Sequence, residues 1–292
     1  MAVSLLLPAM AFLMGLGLAK STRASGIKKY LAMSLARIFI PIVIIYNMVF
    51  YQVGSLSLMI FSFISAILLF YFFLYFSKDK LGSLCFSYVN MAWLGFPFAM
   101  ALFGEQVSGA MVALYIGGSI FGNIWAVTAV SSAQQPISQT AKKVLQSPPV
   151  VALLLAALCY VLGVQHLTQH VWLDVTYESA KVAMTFAGMC VLGMWLRQTR
   201  VNVQDLWEST QIAGLKLIFG AILCAVMYSL KWIPQIDSYI GVMFLLFCLP
   251  PAANIVALET HYHGTGISAK YIASGTIVSC GVIAIYALLL HL

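Results

Sequence analysis

Ten stretches of about 20 predominantly apolar residues follow one another along the 292-residue chain, at positions 3–19, 30–51, 55–76, 81–103, 108–130, 149–164, 176–196, 211–230, 238–258 and 271–290. That length crosses the hydrocarbon core of a bilayer as a helix. No water reaches a peptide group there, so a spanning segment must satisfy its backbone within itself. Composition agrees: 62% of residues are hydrophobic and 8% charged, against a charged share of roughly a quarter in soluble domains. The expected fold is an all-α integral membrane protein of ten transmembrane helices. The sixth stretch is short, and the seventh opens with Glu178 and Lys181, placed one turn apart to pair or to snorkel.

The net charge of +7 comes from 15 Lys and Arg scattered between the apolar runs, which makes no nucleic-acid patch and reads instead as topology. Lys20, Arg23, Lys28, Lys29, Lys78, Lys80, Lys142, Lys143, Arg197, Arg200 and Lys270 fall in alternate joints, all on one side, while the opposite side holds Lys231 and, at its margin, Lys181. Basic loops stay in the cytoplasm, so both termini are expected outside it. The first stretch has no basic residue before its apolar core and reads as a retained helix, not a cleaved signal. Six cysteines lie inside apolar segments with no CxxC pair and read as packing residues. The longest joints, 131–147 and 165–178, are too small to fold alone. A Gly-x-Ser-x-Gly elbow, a phosphate-binding Gly-rich loop and an HExxH pair are all missing, so neither an enzyme nor a resident cofactor is expected. Glu259, His261 and His263 in "ETHYH" have the chemistry of metal ligands, but with no further Cys or His nearby they are read as no metal site.

Ten spans around a basic central joint divide into residues 1–130, a cytoplasmic linker 131–147 and residues 148–292. Five helices per half is an odd number, so the second half runs inverted. The fourth helix of each half carries a helix breaker: "NMAWLGFPFAMALFGEQ" at 90–106 and "CLPPAANIVALETHYHG" at 248–264. Setting Pro97 on Pro251 also matches Ala99 with Ala253 and Glu105 with Glu259. If Pro97 and Pro250 or Pro251 each take the first position of a second half-helix, two N-termini with their amides and partial positive charge face the membrane's middle, a place for an anion. Asn90 and Asn254 stand close enough to bond a carboxylate, to bond another helix or to end a broken one. Arg37, about 10 Å inside the second helix, either snorkels or serves as a counter-charge; Lys216, nearer its helix end, is expected to snorkel. Glu105 and Glu259 are expected at half-helix ends, in a structural or an ion-coupling role. Gly118 and Gly122 form a GxxxG step, read as packing within the domain.

The "NMAWLGFP" segment ending at Pro97, "LPPAAN" at 249–254 and "SPPVVALLLAALCYVLGV" opening the sixth helix resemble the corresponding segments of the auxin efflux carrier family, which includes plant PIN-formed carriers and bacterial carboxylate permeases. Asn90 and Pro97 match the asparagine and proline around that family's Gly-x-Pro; Asn254 matches bacterial members, and the tandem Pro250–Pro251 departs from plant ones. The long hydrophilic central loop of many plant members is missing here. The resemblance implies two inverted five-helix repeats with helices 4 and 9 broken and crossing, as in sodium/proton antiporter-like and bile acid symporter-like folds. Helices 1, 2, 6 and 7 would form a scaffold, the others a mobile domain, with a homodimer through the scaffold. The implied function is secondary transport of a small organic anion, a carboxylate, across a bacterial inner membrane with both termini periplasmic. Substrate would meet Asn90, Pro97, Pro250, Pro251, Asn254 and Arg37. Two alternatives stay open: a sodium-coupled symporter with Ser83, Ser87 and Glu259 as ion ligands, and a sensor that binds without transporting.

Overall fold

A computed structural model describes residues 2–50, 54–130, 137–164, 171–256, 259 and 267–290. Among the described residues the regular structure is helical, apart from one isolated β-bridge. In chain order the helices are α1 (Ala2–Leu18), α2 (Ala24–Val49), α3 (Ser55–Ser77), α4 (Lys80–Ser87), α5 (Met91–Phe103), α6 (Ser108–Val130), α7 (Ile137–Leu145), α8 (Pro148–Val161), α9 (Val171–Gln198), α10 (Val203–Leu230), α11 (Ile236–Cys248) and α12 (Ile267–Leu289). Six helical spans, Ala24–Val49, Ser55–Ser77, Glu105–Trp125, Val171–Gln198, Val203–Leu230 and Ile267–Leu289, are long and apolar enough to cross a membrane. Four shorter apolar helices, Leu6–Leu18, Met91–Phe103, Pro148–Val161 and Ile236–Cys248, lie in the remaining apolar stretches. The chain is a helical membrane protein.

At α10 a polar cap sets the helix start outside the apolar run. α10 starts at Val203, ahead of the apolar run at 211, because Asn202 and Asp205 form a capping box: the Asp205 N–H donates to Asn202 Oδ1 at 2.7 Å, and the Asn202 N–H to Asp205 Oδ2 at 3.0 Å. The linker expected as a plain joint contains α7, which carries the exposed Lys142.

Contacts gather the chain into two compact units, each made of separated segments. The first comprises Met1–Val53, Ala92–Val112 and Leu145–Gln198; the second comprises Gly54–Met91, Ala113–Val144 and Thr199–Leu292. In the first unit α1 lies along α9 at close range. A Cβ at Gly15 would overlap the Cys190 carbonyl, and one at Gly193 the Phe12 carbonyl, so small residues set the approach of the two backbones. Cys190, Val191 and Met194 form a core there with Leu18, Ile27, Leu31 and Trp93. In the second unit α3 packs on α4, with Phe73 stacked on Phe86 at 4.8 Å, and α10 packs on α11, with Phe247 seated against Gly220. One stripe of α10, Ile218, Ile222, Val226 and Leu230, is exposed; another, Lys216, Gly220 and Cys224, is buried. An exposed stripe of branched aliphatics is what a lipid-facing helix presents.

Candidate functional site

In the second unit two apolar helices, α4 and α11, break off, and the segments that follow them are bonded to each other. α4 ends at Ser87, and Tyr88 turns extended at φ −95°, ψ 107°. α11 ends at Cys248, and Leu249 turns extended at φ −79°, ψ 148°, as a residue before proline prefers. Val89 and Pro251 then face each other as an antiparallel bridge. The Asn90 N–H donates to the Pro250 carbonyl and the Ala252 N–H to the Tyr88 carbonyl, both at 2.8 Å. Pro251 occupies the pair that exchanges no hydrogen bonds, and Pro250 contributes only its carbonyl, so neither missing N–H is needed. Helix resumes at Met91 on one side and at 254–256 on the other.

This corrects the expected position of the first break. Pro97 does not open a half-helix: it lies six residues inside α5, after a π-turn over Met91–Gly95. A proline ring in a helix crowds the carbonyl four residues back and removes one donor. The wider π-turn before it accommodates both effects, and the helix runs on. The register that sets Pro97 on Pro251 therefore does not superpose the two interruptions. Pro250 and Pro251 do lie in a break, as its extended strand and not as the start of a helix.

Side chains fix the crossing further. Asn254 Nδ2 donates to the Tyr88 hydroxyl at 3.0 Å, a bond to the facing interruption, while Asn90 is buried. A Cβ at Gly118 would overlap Met91, and one at Gly122 the Tyr88 ring, so the GxxxG step of α6 makes room for the interrupted segment. Tyr88 had no distinguishing signal in the sequence: an aromatic in an apolar run looks like any other.

The remaining expected residues have separate surroundings. Ser83 donates its hydroxyl to the Asp79 carbonyl at 2.5 Å and Ser87 to the Ser83 carbonyl at 2.8 Å, both within α4. Glu259 is buried and caps α12, accepting from the N–H groups of Ile267 at 3.1 Å and Ser268 at 3.0 Å and from the Ser268 hydroxyl. His261 and His263 lie outside the described residues; among those described, no group of metal-ligating side chains assembles. Arg37 belongs to the other unit and is exposed on a π-turn of α2. Lys216 overturns the expectation of snorkelling: it lies half-way along α10, is 4% exposed and donates to the Leu249 carbonyl. The apolar run understated the length of the helix beyond it, which is why it looked close to an end.

The first unit holds a polar cluster of its own, which sequence spacing only began to show. Lys181 pairs with Glu178 at 2.9 Å, as the one-turn spacing suggests, and also with Glu105. Its ammonium stands 4.6 Å from the centre of the Tyr177 ring. Tyr177 shares a hydrogen bond with Ser108 at 2.5 Å, accepts one from Asn47 at 3.2 Å, and stacks on Tyr46 at 3.9 Å. Tyr46 in turn donates to Asp174 at 2.6 Å.

The chain matches no protein-family model and no curated protein.

Proposed function

We propose that the chain is a secondary transporter of the auxin efflux carrier family, moving a small carboxylate by alternating access. The observation that carries this reading is the reciprocal bridge between residues 88–90 and 250–252. Unwound backbone inside apolar helices persists only where protein or a water-lined cavity surrounds it, and discontinuous helices are how many transporters build their substrate and ion sites. The two compact units add support: the first contains α1, α2, α8 and α9, the helices that the resemblance assigns to a scaffold, and the second most of the rest. In this reading ten helices span a bacterial inner membrane as two inverted sets of five, with both termini periplasmic. The carboxylate docks at the resumed helix starts, held by backbone amides with Asn90 and Asn254. Each helix end contributes about 0.3–1 kcal/mol, and up to about 2 when partly buried, so two ends and a few hydrogen bonds hold an anion without a cationic side chain.

Purified protein screened by thermal shift against mono- and dicarboxylates reveals a ligand by mass action, and counterflow of that labelled ligand in proteoliposomes then tests transport. Stabilisation with exchange is the expected result. Stabilisation without exchange identifies a sensor, and neither response to any carboxylate overturns the substrate class. Asn254→Ala and Asn90→Ala are expected to weaken binding roughly 10- to 100-fold, the loss of one hydrogen bond to a charged group.

A further inference from the structure

Lys216 is a cation in the middle of an apolar helix, and its surroundings are unusual. In α10 it sits on the buried stripe, away from the exposed aliphatic one, and its ammonium donates to the carbonyl of Leu249, the last residue of α11's end before the tandem prolines. Among the described residues both salt bridges belong to Lys181, so no carboxylate is paired with Lys216. What faces it is a carbonyl terminus. The Leu249 N–H closes the last turn onto the Leu246 carbonyl at 3.4 Å, Pro250 and Pro251 have no N–H with which to continue the helix, and the end of a helix carries a partial negative charge of about half a unit. A small cavity is lined by Lys216 together with Phe73, Cys85, Phe86, Pro250, Pro251 and Tyr271.

Carbonyl ends of broken helices are where transporters coordinate a monovalent cation. We propose that the Lys216 ammonium is a tethered substitute for such an ion, occupying the carbonyl end of α11 so that the crossing holds together without sodium. The groups expected as sodium ligands are engaged elsewhere: Ser83 and Ser87 bond carbonyls of their own helix, and Glu259 caps α12. The consequence for coupling, sodium-independent transport, rests on the function proposed above, but the site does not.

The test reads thermal stability, which needs no transport and so fails or succeeds separately from the transporter reading. Lys216→Ala is compared with the wild-type protein in choline, sodium and ethylammonium chloride at equal ionic strength. The variant is expected to melt on the order of 5 °C lower in choline and to regain most of that loss in sodium or ethylammonium, while the wild-type protein melts alike in all three. If the alanine variant does not fold, Lys216→Ser, which also removes the ammonium and is too short to reach the Leu249 carbonyl, takes its place in the same comparison. A variant indifferent to the three salts overturns the proposal, and so does a wild-type protein that sodium stabilises over choline.

Discussion

Glu259 and Lys181 show how burial of the partners decides what a polar contact contributes. Lys181 is buried, but its two carboxylate partners, Glu105 and Glu178, have side chains 67% and 60% exposed. Losing the ammonium therefore leaves acids that water can solvate, and Lys181→Met is expected to cost about 1 kcal/mol, near the surface-pair range. Glu259 is 1% exposed and accepts from two backbone amides and a hydroxyl at the start of α12, where Ser268 is itself fully buried. Removing it strands buried donors, each costing about 1–3 kcal/mol. Thermal melts of Glu259→Ala and Lys181→Met should therefore rank with the glutamate variant clearly lower. An equal or reversed order would mean that the cap is replaced by other groups.

At the scale of the helix, the break in α11 is local and the break before α5 is not. Tandem prolines hold 249–251 extended whatever they face, whereas Tyr88, Val89 and Asn90 contain nothing that forbids a helix; their extended form is imposed by pairing with Pro250 and Ala252. Pro250→Ala combined with Pro251→Ala should let α11 continue and release both segments, abolishing ligand stabilisation and exchange. Pro97→Ala should preserve both, since its π-turn already absorbs the ring. Loss of function confined to Pro97→Ala would reverse the assignment. Gly122→Leu, by driving a side chain into the Tyr88 ring, should resemble the double proline variant. The same distinction marks what was legible in the sequence. Apolar length located the helices, and Pro250–Pro251 announced their own break. Pro97 drew attention because it is a breaker by composition, but a widened turn is invisible in residue types. The depth of Lys216 is hidden in the sequence because it depends on where the Asn202 cap begins α10, outside the apolar window.

For the whole molecule, each compact unit is assembled from three separated segments, with the chain passing between them repeatedly. The split of basic residues between alternate joints predicts that a reporter inserted at Lys142 is active in the cytoplasm and one inserted at Lys231 on the opposite side. Both on one side would remove the odd-numbered halves and the inversion with them. The bridge has a further consequence, for biosynthesis. Asn90 and its acceptor Pro250 are roughly 160 residues apart, and at about 5–20 residues per second the ribosome needs roughly 8 to 32 s to make that intervening chain. Through that interval the segment at 88–90 has no strand to pair with, and lipid offers its peptide groups nothing. The nascent fourth segment must therefore either enter the bilayer as an unbroken helix and be opened later by the arrival of Leu249–Pro250–Pro251, or be kept in contact with water by the insertion machinery until then. A nascent chain arrested after Leu230 isolates that waiting state, and protection of an amide or a cysteine placed at Val89 distinguishes the two routes.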